Sequence, residues 1–329
     1  MSAQLKGKDA FEGGKNMIEV KNVTKKYGDF TAVEKMNFNI QEGEIIGLLG
    51  PNGAGKSTTM NMLTGFIEPS EGQIIIDGYD MTKKPQKAKK QIGYMPEGVP
   101  LYNDLTVKEF INYMADLKMV AKKDKKQNIQ KVIEQTNLND VQNKLIKNLS
   151  RGYKQRVSMA GALIGEPKIL ILDEPTVGLD PKQITEIRTL IKSLGKTHTV
   201  ILSSHILSEV SQICEKVIII NKGKLIAIAS PKELEEKVKK ENSVTVTVEA
   251  KNKNIEDITK AIIGVKKINL VKDNEDGTKE YLIISEENID IRKEIFEKYA
   301  REDITIYELK KQEATLEDAF MKLIEGGEK

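Results

Sequence analysis

Hydrophobic and polar residues change rhythm several times along the chain, and each rhythm predicts a different element. From Met17 the segment MIEVKNV alternates apolar and polar positions, as a half-buried strand does, and Phe38 and Ile40 continue the pattern. These positions predict a small antiparallel sheet, with Tyr27 in the turn of KKYGDFTAV. EIIGLLG, from Glu44 to Gly50, is a short apolar run bounded by glycine and predicts a buried parallel strand. Residues 57–64 read as a helix, and GQIIIDG (72–78) as part of a second antiparallel pair. From about Thr106 to Gln142 the spacing turns helical, with Val107, Phe110, Ile111 and Met114 on one face. KILILDEPT (168–176) and VILSSHI (200–206) each begin as a short apolar strand.

The pattern starts afresh beyond KELEEKVKK (232–240), a charged helix and linker. SVTVTVEA (243–250) alternates as a strand, and Ile255 to Ile263 reads as a helix. Lys267 to Lys272 and Glu280 to Ser285 read as strands joined by DNEDGT, whose Asp-Gly pair suits a hairpin turn. Ile289 to Tyr299 is helical, with Ile291, Ile295 and Phe296 assigned to one side, and Asp303 to Leu309 is a strand. The order β-α-β-β-α-β predicts a small ferredoxin-like unit. A last helix opens at Thr315, Leu316, Glu317 and Asp318 with a capping-box-like start, and Leu316, Phe320 and Leu323 form its apolar face. Two roles fit that helix: packing on its own domain or a dimer mate, or docking a regulatory partner.

Composition narrows the class. The 329 residues are 39% hydrophobic and 31% charged, ordinary for a globular chain with a sizeable core. The net charge of +3 is the remainder of 52 basic and 49 acidic residues, so charge offers no argument for nucleic acid. The one cysteine, Cys214, rules out an internal disulfide, and its apolar stretch predicts a core position. The N-terminus lacks the apolar block of a signal peptide, and runs such as VIII at 217–220 are too short to cross a bilayer. The chain is therefore expected in a reducing cytosolic compartment, forming no pore of its own. Lys122, Lys123, Lys125 and Lys126 form a basic run, as do Lys83, Lys84, Lys87, Lys89 and Lys90. Each fits a solvated face or a contact with anionic lipid.

The chemistry concentrates in GPNGAGKST, from Gly50 through Pro51, Asn52, Gly53, Ala54, Gly55, Lys56 and Ser57 to Thr58. It fits the phosphate-binding pattern G-x-x-x-x-G-K-[ST]. Glycines let the backbone curl and turn its N–H groups toward phosphates. Lys56 at the mouth of a helix reaches the β- and γ-phosphates, and Ser57 offers a hydroxyl to Mg²⁺. KILILDEPT ends an apolar strand in adjacent carboxylates. Asp173 there would orient Mg²⁺, and Glu174, one residue on, would polarise an attacking water. Pro175 follows at once and argues for a turn rather than a helix cap. His205 ends another short apolar strand, and alone would read as structural.

Taken together in this order, the motifs resemble the ATP-binding cassette of ABC transporters, over roughly residues 17–235. GPNGAGKST is similar to that family's phosphate loop, and ILILDEPT to its second nucleotide motif. The resemblance implies Asp173 as the magnesium residue, Glu174 as catalytic base and His205 as the switch histidine at the γ-phosphate. It implies Tyr27 as the aromatic residue stacked on adenine. VGLDP, from Val177 to Pro181, resembles the loop that follows, with Asp180. NLSRGYKQRV (148–157) resembles the family signature, which meets the ATP held by an opposite subunit. The signature usually reads Leu-Ser-Gly-Gly-Gln. Here Arg151 and Tyr153 replace a glycine and the glutamine, while Ser150 and Gly152 keep the groups that would face a phosphate. IGYMPEG puts Glu97 where a glutamine usually ligates Mg²⁺ and senses the membrane partner. Both departures resemble a bacterial exporter-type subclass with separate membrane subunits.

The resemblance thus implies an α/β phosphate-loop NTPase core with an antiparallel β subdomain and an α-helical subdomain at about 98–165. Residues 1–16 would be a disordered tail, 17–235 the ATP-binding domain, 236–242 a linker and 243–329 an accessory or regulatory α+β domain. It implies ATP and Mg²⁺ as ligands. The implied partners are a second ATP-binding subunit, an identical copy, and a polytopic membrane permease, with the chain peripheral on the inner face of the cell membrane. Other classes fit less well. A ribosome-associated ATPase of this type usually has two cassettes, and a DNA-associated one a long coiled coil between phosphate loop and signature. A GTPase would need Asn-Lys-x-Asp, and NKGK at 221–224 lacks the aspartate. Intact Asp173, Glu174 and His205 argue against a non-hydrolysing subunit.

Overall fold

The computed structural model describes residues 14–98, 101–234, 243–249, 253–286, 289–312 and residue 320. The expected tail up to residue 13, the linker at 236–242 and all of the last helix but Phe320, which is buried, lie outside the described residues. The chain divides into two compact units, residues 1–230 and 231–329.

In the first unit, β1 (Asn16–Tyr27) lies antiparallel to β2 (Phe30–Gln41) and β4 (Glu71–Ile76), and β5 (Tyr79–Asp80) completes a four-stranded sheet. Alternation holds at the centre of β1, where Ile18 pairs with Ile40 and Val20 with Phe38 and all four are buried, and it breaks where the register shifts between Val20 and Val23, leaving Lys21 and Asn22 both exposed. The second sheet has the order β10-β9-β3-β8-β7-β6. Its members are β3 (Ile45–Leu49), β6 (Ile92–Met95), β7 (Ile169–Leu172), β8 (Thr199–Ser204), β9 (Lys216–Asn221) and β10 (Lys224–Ala229). All neighbours pair parallel except β10, which runs antiparallel on the edge. Every residue of β3, β7 and β8 is buried, as strands covered on both faces require.

Helix α1 (Lys56–Leu63) follows β3, and α2 (Pro85–Lys90) precedes β6. A helical region then packs α3 (Val107–Leu117), α4 (Lys122–Gln135) and α5 (Arg151–Leu163) together. Thr106 and Glu109 close a capping box at the start of α3, satisfying N–H groups that a helix leaves free. Lys118 ends that helix and donates to the carbonyls of Ala162 and Ile164 at 2.7 and 2.9 Å, at the end of α5. Helices α6 (Pro181–Gly195) and α7 (Leu207–Ser211) flank β8. Cys214 is buried, as its apolar surroundings predicted, and burial pushes its thiol pKa up.

The second unit has a four-stranded sheet of order β12-β13-β11-β14, from β11 (Ser243–Glu249), β12 (Val265–Asp273), β13 (Thr278–Ser285) and β14 (Thr305–Gln312). Helices α8 (Ile255–Lys260) and α9 (Arg292–Arg301) intervene. Val244, Val246 and Val248 point from β11 into a core shared with Ile255, Ile295 and Tyr299. One expectation is corrected here. Phe296 does not share the face of Ile291 and Ile295 but is 60% exposed, and Tyr299 takes the inner position. Ile291, Ile295 and Tyr299 recur every fourth residue, whereas Phe296 is rotated about 100° from Ile295. Among the described residues no helix is long and apolar enough to cross a membrane.

Candidate active site

The parallel sheet carries the separate motifs to one edge. Leu49 of β3 pairs with Ser204 of β8, and Leu172 of β7 pairs with Leu202 of β8 and Met95 of β6. Gly50, Glu97, Asp173 with Glu174, and His205 therefore all emerge at carboxyl ends of parallel strands, where open α/β sheets bind ligands.

Backbone geometry explains the glycines. A Cβ on Gly50 would lie 2.4 Å from the Ile220 carbonyl oxygen. Gly53 and Gly55 have φ of +77° and +101°, in the region that side chains disfavour. Asn52 and Gly53 are exposed at the loop tip, while Ala54 is buried and its carbonyl accepts from Gly223 N at 2.9 Å. Helix α1 begins at Lys56 with neither a side-chain cap nor an acid in its first turn, so its N-terminal dipole is left for an anion. Lys56 is buried, and its Nζ donates to the carbonyls of Gly50 at 2.8 Å and Pro51 at 3.3 Å. Ser57 is exposed and Thr58 half-buried on the same turn.

Facing this loop is the acidic turn. Glu174 has φ +46° and Pro175 follows it, so a turn replaces the helix a cap would start. Ser203 organises both acids. Its hydroxyl donates to Asp173 Oδ1 at 2.5 Å and accepts from Glu174 N at 2.8 Å. Burial raises the Asp173 pKa, the Ser203 hydroxyl opposes the shift, Glu97 adds to it and Lys56 opposes it. Tyr94 on β6 is pushed up to about 12 by burial first and then by Asp173 and Glu97. Glu174 lies 3.8 Å from Lys56 Nζ, and its two carboxylate oxygens lie 3.2 and 3.1 Å from His205 Nδ1. An ionised carboxylate can only accept, so in this pair Nδ1 is the donor and Nε2 takes no part in it.

Of the other sequence-identified residues, Glu97 lies within electrostatic reach of Asp173, and Tyr27, Ser150, Gly152 and Asp180 make their described contacts outside this cluster. Tyr27 ends β1 and is 50% exposed, with Lys25 Nζ 5.2 Å from its ring centre. Ser150 caps α5, accepting from Tyr153 N at 3.4 Å, and Gly152 is packed against Gln183. Asp180 caps α6, accepting from Gln183 N at 2.9 Å. Glu97 is exposed, two residues beyond β6. Among the described residues no hydrogen bond or ion pair joins Tyr27, Ser150 or Asp180 to the phosphate loop. Sequence reasoning missed Ser203 and Gly223. Ser203 had a signal, a polar Ser-Ser-His end on an apolar strand, but its partners lie about thirty residues away.

Fold and site together define a phosphate-loop nucleotide-binding ATPase. The model of the ABC transporter family matches residues 33–177. The chain is 36% identical over 316 residues to the uncharacterized ABC transporter ATP-binding protein YhcH of Bacillus subtilis, covering 94% of this chain and 96% of that one. It is likewise 36% identical over 316 residues to the bacitracin transport ATP-binding protein BcrA of Bacillus licheniformis, covering 94% and 98%. Among solved structures it resembles the dimeric post-hydrolysis state of the ATP-binding cassette MJ0796 bound to ADP and Pi. That match has a TM-score of 0.59 and 28% identity, covering 65% of this chain and 98% of that one. The chain belongs to the family of ABC transporter ATP-binding proteins and is an ATPase.

Proposed function

We propose that this chain is the ATP-hydrolysing subunit of an exporter whose membrane-spanning permease is a separate polypeptide. Two copies pair head-to-tail around two ATP, peripheral on the inner face of the cell membrane. Residues 17–235 form the cassette, 236–242 a linker and 243–329 an accessory domain. The observation that carries the hydrolytic assignment is the convergence of Glu174, His205 and Lys56 at adjoining strand ends. Likeness over 94% of the chain to a bacitracin transport protein supports the transport role. The dimer of the related cassette supports pairing.

In this mechanism Lys56 gives up its loop carbonyls for the β- and γ-phosphates, and Tyr27 stacks on adenine. Glu174 accepts a proton from the water that attacks the γ-phosphorus as ADP leaves. His205, fixed by Glu174 through Nδ1, presents Nε2 to the γ-phosphate. Ser150 and Gly152 of the other copy close over the same phosphate, with Asp180 beside them. Among the described residues no cluster of three or more His, Cys, Asp or Glu side chains could hold a metal by itself. That donor set fits Mg²⁺, which takes one or two protein oxygens and completes its shell from phosphates and water. Ser57, Asp173 and Glu97 would hold it, and bound Mg²⁺ would neutralise charge on the transferring phosphate.

Glu174→Gln tests the reading. Steady-state turnover should fall by about 10²–10⁴-fold, with ATP binding retained and an ATP-dependent dimer seen by light scattering. Unchanged turnover would sink Glu174 as base. A monomer at saturating Mg²⁺-ATP would sink the pairing. Co-purification with ribosomes or DNA, rather than with a polytopic membrane protein, would replace transport by a soluble role.

A further inference from the structure

The Glu174 backbone is held in an unfavourable conformation, and the side chains that hold it come from different elements. Its φ of +46° is uncommon for a residue with a side chain and persists where the surroundings over-determine it. Ser203 on β8 accepts the Glu174 N–H. Glu209 on α7 accepts from the Thr176 hydroxyl at 2.5 Å. Gln155 on α5 donates through Nε2 to the Pro175 carbonyl at 2.8 Å. Ser203 is fixed in a buried central strand, so it can hold the turn but not move it. Gln155 belongs instead to the helix that starts at Ser150.

The space beside that hydrogen bond is open. A cavity of about 430 Å³ is lined by Arg151, Lys154 and Gln155 of α5 and by Val177 beyond the acidic turn. The cavity leaves room on one side of the first turns of α5, and if that end moves the bonded Pro175 carbonyl must follow or lose its donor.

We propose that Gln155 is a positioning residue for Glu174, transmitting the placement of α5 to the catalytic turn of the same chain. The inference rests on the reading of Glu174 as base. A ligand engaging the Ser150 end of α5 would thereby alter the hydrolytic competence of this chain's own site. In a head-to-tail dimer that ligand is the ATP held by the other copy, so the two sites would sense one another through this side chain.

Two variants of the full chain test this against wild type. Gln155→Leu keeps the bulk and removes the donor. Its kcat should fall about 10-fold or more, the equivalent of one hydrogen bond, with KM for ATP and Tm close to wild type. Gln155→Glu can donate to the carbonyl only when protonated. Its activity relative to wild type should therefore rise as pH is lowered from about 8 to 6. Wild-type kcat in Gln155→Leu, with Glu174→Gln inactive, would overturn the proposal alone. So would a loss of kcat accompanied by an equal loss of ATP affinity or Tm, with a flat pH ratio for Gln155→Glu. An active Glu174→Gln would overturn the assignment of the base and this proposal with it.

Discussion

Ser203 donates its hydroxyl proton to Asp173 Oδ1 at 2.5 Å, tying the end of one parallel strand to the middle of the acidic motif on its neighbour. The same oxygen accepts the buried N–H of Glu174. Ser203→Ala removes both bonds and leaves that N–H unsatisfied. Stability should fall by about 1–3 kcal/mol, read from the shift of the urea midpoint. Turnover should fall about 10-fold or more with ATP affinity retained, because among the described residues the side-chain hydrogen bonds of Ser203 go to Asp173 and Glu174 rather than to the phosphate loop. Wild-type turnover would show that the acidic turn holds its shape without it.

Gly178 and Arg151 predict a coupled pair. Gly178 has φ +68°, and a Cβ there would lie 2.3 Å from the Arg151 guanidinium. Gly178→Ala should destabilise by about 1–2 kcal/mol from backbone conformation, plus whatever displacing Arg151 requires. Removing Arg151 as well should recover the second part only. Double-mutant-cycle coupling of about 0.5 kcal/mol or more is expected. Strict additivity would mean that the two residues do not press on each other.

Lys118 predicts a stability that rises in alkali. Burial pushes its pKa down to about 8 from an ordinary 10.5. Between those values the unfolded chain holds a proton that the folded chain has lost, so this group makes stability increase with pH across that window. Below about pH 8 both states are protonated and its slope vanishes. The full increment is about 3 kcal/mol. The difference in Tm between wild type and Lys118→Met, followed from pH 7 to 10.5, should grow in favour of wild type. A difference that does not change with pH would mean that the buried amine keeps an ordinary pKa.

Adjacent residues of α9, one buried and one exposed, should respond oppositely to truncation. Ile295 is fully buried, and Ile295→Ala should destabilise the second unit by about 2–5 kcal/mol. Phe296 is exposed, and Phe296→Ser should stay within about 0.5 kcal/mol of wild type. Equal losses in thermal unfolding would return Phe296 to the inner face.

Local information was enough for much of this protein. The phosphate loop was legible because its glycines answer to the backbone of their own turn, as the φ of Gly53 and Gly55 shows. The buried strands were legible because burial on both faces imposes an unbroken apolar run, as in β3 and β7. Alternation in β11 marked a sheet with one covered face. Pro175 marked the acidic turn because proline at the end of an apolar strand punctuates the chain and favours a turn.

Other features depend on residues far apart in the chain, and only the tertiary structure decided them. Ser203 became visible as a support when strand register placed it beside Asp173, thirty residues earlier. Gln155 reaches Pro175 because α5 packs beside the acidic turn, and no local pattern encodes that approach. Gly50 must lack a side chain because of the Ile220 carbonyl on β9, a constraint its own loop does not contain. Phe296 is expected inside and lies outside because periodicity finds an apolar stripe, while the choice of its inner edge belongs to the sheet it covers. The sequence by itself determined which elements form and which chemistry is present, since both follow from short-range sterics and side-chain type. Tertiary packing decided which groups touch, because that depends on how strands and helices distant in the chain are brought together.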